Sequence, residues 1–154
     1  MAPALAELLA ALAGELGACR RPWWLIGSAA MAVHGAAVEV RDVDLLLDRD
    51  DAEAFLSRRG IAAAPGVPSG LFASALFGAW EKPPYRVEVF AGFRLREGGA
   101  WVALVPETRE QHRVGGACLY LPSVAELIAW GRRFGRGKDA AREPLLQALV
   151  ARGD

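Results

Sequence analysis

Two aspartates separated by a single apolar residue form the part of this sequence best suited to chemistry. Asp42-Val43-Asp44 opens an apolar run that continues through Leu47. Because side chains alternate between the two faces of a strand, both carboxylates should lie on one face, with Val43 and Leu45 directed into the core. Carboxylates held this close repel each other and raise each other's pKa unless a cation or basic group lies between them. The spacing therefore calls for a counter-charge.

Magnesium meets that requirement, because it is a hard cation that binds carboxylate oxygens together with water and substrate phosphates. A third acidic ligand is available in the strand-like run Tyr85–Phe90, where Glu88 lies between two valines. Its side chain should project to the face opposite theirs. Asp42, Asp44 and Glu88 are thus the predicted metal ligands.

A phosphate site is predicted at the end of the preceding strand. The apolar run Leu25-Ile26 stops at Gly27-Ser28, and thirteen residues separate Ser28 from Asp42. A glycine there lets a phosphate approach the backbone closely, and the free N–H groups of the following helix are anion donors. The Ser28 hydroxyl adds another donor. Metal on one side and the helix N-terminus on the other would hold a triphosphate for in-line attack at its α-phosphorus.

Taken together, these motifs resemble the DNA-polymerase-β-like nucleotidyltransferase superfamily. The segments Gly27–Gly35 and Arg41–Leu47 are most similar to its small bacterial branches, which include AbiEii-like toxin-type proteins and the aminoglycoside and lincosamide nucleotidyltransferases. The segment Leu121–Ile128, followed by Arg136–Asp139, is similar to the helical tail that such proteins often carry. The resemblance covers roughly residues 23–150.

The resemblance implies an α/β fold, with a mixed sheet, flanking helices and a short C-terminal helical tail. It also implies two magnesium ions and transfer of a nucleoside monophosphate from an NTP, such as ATP, to a hydroxyl acceptor, with release of pyrophosphate. The acceptor would be a small molecule, a protein side chain or an RNA end. Asp42 and Asp44 would bind metal, and Glu88 would be the third ligand or the base that takes the acceptor's proton. A glutamate in place of the commoner aspartate lengthens that arm.

Lys138 has two interpretations, a charge at the start of the last helix and a contact to a nucleotide phosphate. We include it with Gly27 and Ser28 as a candidate nucleotide-binding residue. His34 is expected to pack or to form a hydrogen bond rather than to catalyse, and Arg41 to pair with Glu39 or to hold a loop.

A different class of function is a non-catalytic interaction module with the same fold, such as a toxin–antitoxin component that binds a protein partner. A cleft filled by Trp80 or by the loop of residues 62–70 would favour that alternative. A hydrolytic metalloenzyme has less support, because the sequence shows no histidine cluster of metal-binding spacing.

Composition limits the remaining possibilities. The 154 residues, 53% of them hydrophobic, predict a single domain with one packed core. The resemblance implies that this domain is nucleotidyltransferase-like, with a core over about 23–121 and C-terminal helices over about 122–152. Eighteen basic and eighteen acidic residues give no net charge that would favour nucleic acid or an anionic membrane. No apolar run is long enough to span a membrane. Cys19 and Cys118 are expected to be buried free thiols, in keeping with a reducing cytoplasm.

Periodicity and turn residues predict the elements. Helices are expected over about 5–16, 28–34, 50–59, 123–134 and 139–151, and strands over 23–26, 42–47, 71–77, 85–90, 101–105 and 117–121. Asp50 or Asp51 should cap the third helix, and Ser123 with Glu126 has the form of a capping box. Leu145, Leu146, Leu149 and Val150 are expected to face inward, and the scattered tryptophans to pack in the core.

Overall fold

The computed structural model describes residues 1–153. Within this range the chain forms five helices and seven strands. The helices are α1 (Pro3–Leu16), α2 (Gly27–His34), α3 (Arg49–Ser57), α4 (Val124–Phe134) and α5 (Gly137–Ala151). The strands are β1 (Trp24–Ile26), β2 (Asp42–Leu46), β3 (Phe72–Lys82), β4 (Tyr85–Glu97), β5 (Ala100–Ala103), β6 (Glu110–Val114) and β7 (Ala117–Leu121).

The main sheet is mixed, with strand order β1-β2-β4-β3 and β5 paired to the second half of β4. Among the strands of residues 1–153, only the β2–β4 pair is parallel, and the chain connects these two strands through α3 and β3. In that pair Asp44 lies opposite Glu88, and Asp42 lies opposite Arg86. The topology thus brings the two acidic segments of the sequence onto neighbouring strands. The predicted mixed α/β fold is confirmed.

The sheet has two unlike faces. One face, which carries Val43 and Leu45, joins the main core, where the leucines of α1 pack with residues of α3 such as Phe55. The opposite face carries a smaller apolar cluster that includes Leu46 and the α4 side chain Trp130. The aromatic residues that flank this second cluster are only partly buried. The second face of the sheet is therefore partly accessible to solvent. The acids lie on this second face.

The cap of α3 differs from the prediction. Asp48 is the N-cap, and its side chain accepts a hydrogen bond from the backbone N–H of Asp50. Asp51 is buried and accepts from the backbone N–H groups of Arg20 and Arg21, at 3.1 Å each. The prediction of Asp50 or Asp51 as the cap was therefore wrong. Asp51 instead ties α3 to the segment between α1 and β1.

The predicted capping box of α4 is half formed. Ser123 Oγ accepts from the backbone N–H of Glu126 at 3.1 Å, as expected. The Glu126 carboxylate turns outward and accepts from the backbone N–H groups of Glu107 and Thr108, at 2.7 and 2.9 Å. Glu126 thus fixes the loop before β6 rather than the first turn of its own helix.

Several boundaries also differ from the expectations. The strand Ala117–Leu121 pairs with β6 in a separate two-stranded sheet, and β6 itself was not predicted. In α5, Leu146 and Leu149 are buried, whereas Leu145 and Val150 are 37% and 45% exposed, so the inward placement of these two was wrong.

Trp101 is exposed as well, contrary to the expectation that the tryptophans pack in the core, whereas Trp23 and Trp130 are buried. Cys19 and Cys118 are free, as expected, but only half-buried. Across residues 1–153, no helix is both long and apolar enough to cross a membrane.

Candidate active site

The three predicted acids meet on the second face of the sheet. Asp44 and Glu88 are direct neighbours across the parallel β2–β4 pair, and Asp42 lies two residues before Asp44 on the same face. Adjacent strands are about 4.8 Å apart, so side chains at matched positions are within reach of one another. The burial of β2 alternates as the sequence predicted, with Val43 and Leu45 fully buried.

The Asp44 carboxyl has an unusual electrostatic environment. Burial raises its pKa to about 7, and the nearby charges of Glu88 and Asp42 add to the rise, while Lys138 and Arg142 oppose it. Its Oδ1 atom is buried, and no donor in residues 1–153 hydrogen-bonds to it. An acceptor atom buried without a partner is unfavourable. A cation or a donor group at this oxygen would remove that cost.

The pKa of the Glu88 carboxyl is raised as well. Burial raises the pKa of its carboxyl, and Asp42 raises it further through charge repulsion and side-chain hydrogen bonding, while Arg86 lowers it. The Arg86 guanidinium is 4.0 Å from Glu88 and is also paired with Glu81. Its charge is therefore divided between two acids. Three neighbouring carboxyls, one of which has the unpartnered oxygen Asp44 Oδ1, form a donor set that fits a hard divalent cation such as Mg²⁺.

Gly27 is required by the position of Asp44. Its φ is +68°, a conformation that favours glycine, and a Cβ built on it would lie 2.9 Å from Asp44 Oδ2. The α2 helix therefore begins with its backbone directly against the carboxylate. Both predicted motifs, Gly27-Ser28 and the aspartates, converge at this point.

Replacing Gly27 with alanine is expected to destabilise the protein by about 2–4 kcal/mol, through backbone strain plus displacement of Asp44. The matched control is Gly60→Ala, because Gly60 has the same φ of +68° and a Cβ built on it meets no atom of residues 1–153 within 4 Å. The difference in free energy of unfolding between the two variants, measured by urea denaturation, isolates the contact with Asp44. Equal losses would contradict this account.

A cationic recess adjoins the acids. It has a volume of about 480 Å³ and is lined by Gly27, Ser28, Asp42 and Asp44 together with the α5 side chains Lys138 and Arg142. Arg142 was not among the predicted residues, although it follows Lys138 by one helical turn and so shares its face.

The start of α5, which carries Lys138, is fixed by an ion pair. The buried Asp139 carboxylate accepts hydrogen bonds from the backbone N–H and the guanidinium of Arg136, at 2.7–3.1 Å. Asp139 thus caps the helix and leaves Lys138 at the recess.

An aromatic recess adjoins the cationic one and shares with it Gly27, Asp42, Asp44, Lys138 and Arg142. It has a volume of about 230 Å³ and is bordered by Glu88. Its aromatic lining residues are Phe72, Phe90, Phe93, Trp130 and Phe134. The rings contact one another, with centroid separations of 5.0–6.1 Å. Phe90 and Phe93 share a side because the chain has φ +62° at Gly92, which interrupts the strand alternation.

Solved structures provide a comparison for this arrangement. A candidate nucleotidyltransferase from Thermotoga maritima aligns with 92% of this chain and 91% of its own, with a TM-score of 0.75 and 20% identity. This chain has the nucleotidyltransferase fold. The lincosamide adenylyltransferase LnuA, solved with lincomycin, shares this fold over 97% of this chain and 98% of its own, with a TM-score of 0.60 and 10% identity.

A second antibiotic-resistance protein also has the nucleotidyltransferase fold seen here. The resistance factor ANT(2'')-Ia aligns with 97% of this chain and 86% of its own, with a TM-score of 0.55 and 12% identity. No protein-family profile matches the sequence, and no curated protein matches it.

The remaining predicted residues have clear places in the nucleotidyltransferase fold. Arg41 pairs with Glu39 at 3.0 Å, as expected. Trp80 does not line either recess; it packs on Phe55 and lies under the Arg59 guanidinium. The 62–70 loop does not line them either. Neither Trp80 nor the 62–70 loop therefore fills the cleft beside the acids, which is the arrangement that would have favoured a non-catalytic module.

Proposed function

We propose that this chain is a metal-dependent nucleotidyltransferase, which transfers a nucleoside monophosphate from an NTP such as ATP to a hydroxyl acceptor and releases pyrophosphate. One observation carries the proposal. The buried, unpartnered oxygen of Asp44 lies with Asp42 and Glu88 where a cationic recess and an aromatic recess adjoin. Two adjoining recesses that share these acids suit a donor and an acceptor that would react at a metal held by the acids.

In this proposal Asp42 and Asp44 hold Mg²⁺, two ions in the full complex, with Glu88 as a third ligand or as the base. When bound, such ions neutralise developing charge on the attacking and leaving oxygens. The metal charge also accounts for an acid cluster that is otherwise unfavourable, because it removes the repulsion that raises the pKa of Asp44 and Glu88.

The triphosphate of the NTP is assigned to the cationic recess. There the backbone N–H groups at the start of α2 and the Ser28 hydroxyl face one side of the recess. Lys138 and Arg142 supply positive charge from α5. Most of the catalysis in phosphoryl transfer comes from placement and charge neutralisation, which these groups provide.

The acceptor is assigned to the aromatic recess. Glu88 borders this recess and is not among the residues that line the cationic one. A base must lie within hydrogen-bond reach of the hydroxyl that it deprotonates, so the acceptor enters from Glu88's side. The aromatic lining favours a hydroxyl carried by an apolar or aromatic molecule over a polycation or an RNA end. Half-buried free thiols suit activity in a reducing cytoplasm.

The non-catalytic interaction module is less well supported. A cleft filled by Trp80 or by the 62–70 loop would have favoured that alternative, and neither lines the space beside the acids. A toxin–antitoxin role would still be compatible with transfer to a protein hydroxyl.

Lys138→Ala is expected to weaken Mg²⁺-dependent NTP binding about 10-fold or more, because it removes a charge–phosphate contact. Lys82→Ala is the matched control, since Lys82 is the other lysine of the chain and lies outside both recesses. Binding is measured by calorimetric titration. Equal affinities for the two variants would show that the triphosphate does not occupy the cationic recess.

A further inference from the structure

The two histidines of this chain, far apart in sequence, meet at a site away from the acids. His34 ends α2, and His112 lies on β6. Their rings are 4.9 Å apart and nearly perpendicular. Glu110 lies two residues before His112, on the same face of the strand, with its Oε1 3.6 Å from His112 Nε2. One ligand atom from each of the three residues lies within 4.8 Å of the other two.

A backbone carbonyl fixes the tautomer of His34. Its Nε2 is 2.7 Å from the Pro122 oxygen, and because a carbonyl only accepts, this nitrogen carries the proton. Nδ1 of the neutral ring therefore keeps a free lone pair. A histidine that binds metal through one nitrogen usually donates its other N–H to such a carbonyl or carboxylate. The prediction that His34 forms a hydrogen bond is confirmed, and the bond leaves the ring ready for a further ligand.

We propose that His34, Glu110 and His112 form a transition-metal site, with Zn²⁺ as its best-suited ion. Two imidazoles and one carboxylate are a ligand set that zinc accepts in tetrahedral geometry with water as the fourth ligand. The observed separation of up to 4.8 Å closes by small movements of the partly exposed Glu110 and His112 side chains. The expectation that the chain has no histidine cluster was wrong, because the two histidines meet only in the folded chain. His34 ends α2, and His112 lies on β6, a strand that was not predicted.

This site differs from the acid centre in chemistry and in place. The acids offer only carboxylate oxygens, which suit Mg²⁺, whereas imidazole favours zinc and its neighbours in the transition series. The helix α2 separates the two sites, since Gly27 begins it and His34 ends it about 10 Å away. Cys118 pairs with Arg113 rather than with His112, so its thiol lies on the opposite face of the hairpin.

A bound ion would join three parts of the fold. His34, at the end of α2, already contacts Pro122, the residue before the N-cap of α4. The ion would also tie the β6–β7 hairpin to the end of α2. It would thus hold the C-terminal end of the helix whose N-terminus faces the cationic recess.

The test uses tag-free full-length protein with Mg²⁺ in excess, so that the acid centre is already occupied, and titrates it with ZnCl2. One Zn²⁺ per chain and a rise in Tm of about 5 °C are expected. The variants His112→Ala and Glu110→Gln should each bind at least about 10-fold more weakly. The Asp42→Asn, Asp44→Asn double variant and a Cys19→Ser, Cys118→Ser variant should bind as the parent does. Co²⁺ in place of Zn²⁺ should show visible absorption bands of a low-symmetry site without a thiolate charge-transfer band.

The proposal is overturned if no Zn²⁺ binds, or if His112→Ala and Glu110→Gln both leave the affinity unchanged. Loss of binding in the aspartate or cysteine variants would also overturn it, because the ion would then be at those residues. All the substituted residues are partly or fully exposed, and Tm without added metal reports whether each variant folds.

Discussion

Asp44→Asn is expected to stabilise the metal-free protein at pH 8 by about 2–4 kcal/mol. The folded environment raises the pKa of Asp44 from 3.8 to about 7, chiefly through burial and then through Glu88 and Asp42. Such a rise corresponds to about 4 kcal/mol of differential stability between the protonated and ionised forms. Asparagine is nearly isosteric and carries no charge, so the variant avoids this cost.

The direction of the pH dependence follows from the raised pKa. The folded state binds the Asp44 proton more tightly than the unfolded state does, so this contribution to stability is fully present below pH 4. It is lost as the pH rises from about 4 through about 7. The stability difference between the parent and Asp44→Asn should therefore grow over that window and level off above it.

Urea denaturation of both proteins between pH 4 and pH 8.5, without metal, measures this difference. Asp50→Asn, at an exposed aspartate on α3, is the control and should show no such growth. Saturating Mg²⁺ should stabilise the parent and leave Asp44→Asn unchanged. If Asp44→Asn were less stable than the parent at pH 8, the ionised Asp44 carboxylate would not destabilise the metal-free fold, contrary to this account.

Glu88→Gln is expected to lower turnover by about 10³-fold, because glutamine cannot accept the hydroxyl proton of the acceptor. NTP affinity should change by less than about 10-fold, since the triphosphate is assigned to groups in the other recess. Turnover is measured as pyrophosphate release with the NTP that binds, in the presence of pooled hydroxyl compounds that carry apolar rings. Product analysis by mass spectrometry then identifies the nucleotidylated acceptor.

Glu81→Gln supplies the matched control for this substitution. Glu81 lies on the adjacent strand β3 and pairs with the same Arg86, but it lines neither recess. The same change from glutamate to glutamine is thus made outside the site. Near-parental turnover is expected for it. If Glu88→Gln also lost NTP affinity, Glu88 would act as a metal ligand; if it kept full turnover, Glu88 would have no role in transfer.

The convergence of the acids was predictable because it depends on local rules. Alternation along β2 places Asp42 and Asp44 together, and Glu88 follows the same rule on β4. The positions of Gly27 and Ser28 followed from the abrupt end of the apolar run before them. What sequence did not provide is the parallel pairing that sets Asp44 opposite Glu88, since that depends on the long connection through α3 and β3.

The parts that were missed depend on contacts between distant segments. The aromatic recess combines rings from β3, β4 and α4, and the change of face at Gly92 breaks the alternation that a sequence argument relies on. The strand β6 has the polar sequence Glu110–Val114 and forms only a two-stranded sheet with β7. Glu126 had the spacing of a capping box, yet backbone N–H groups of the preceding loop provide better partners for its carboxylate.

The most direct test of the central claim is calorimetric titration of the protein with ATP, GTP, CTP and UTP, with and without Mg²⁺. The parent should bind at least one NTP only when Mg²⁺ is present, and the Asp42→Asn, Asp44→Asn double variant should lose that binding while it remains folded. Binding of no NTP by the parent, or equal binding by the double variant, would contradict a metal-dependent nucleotide site at these acids.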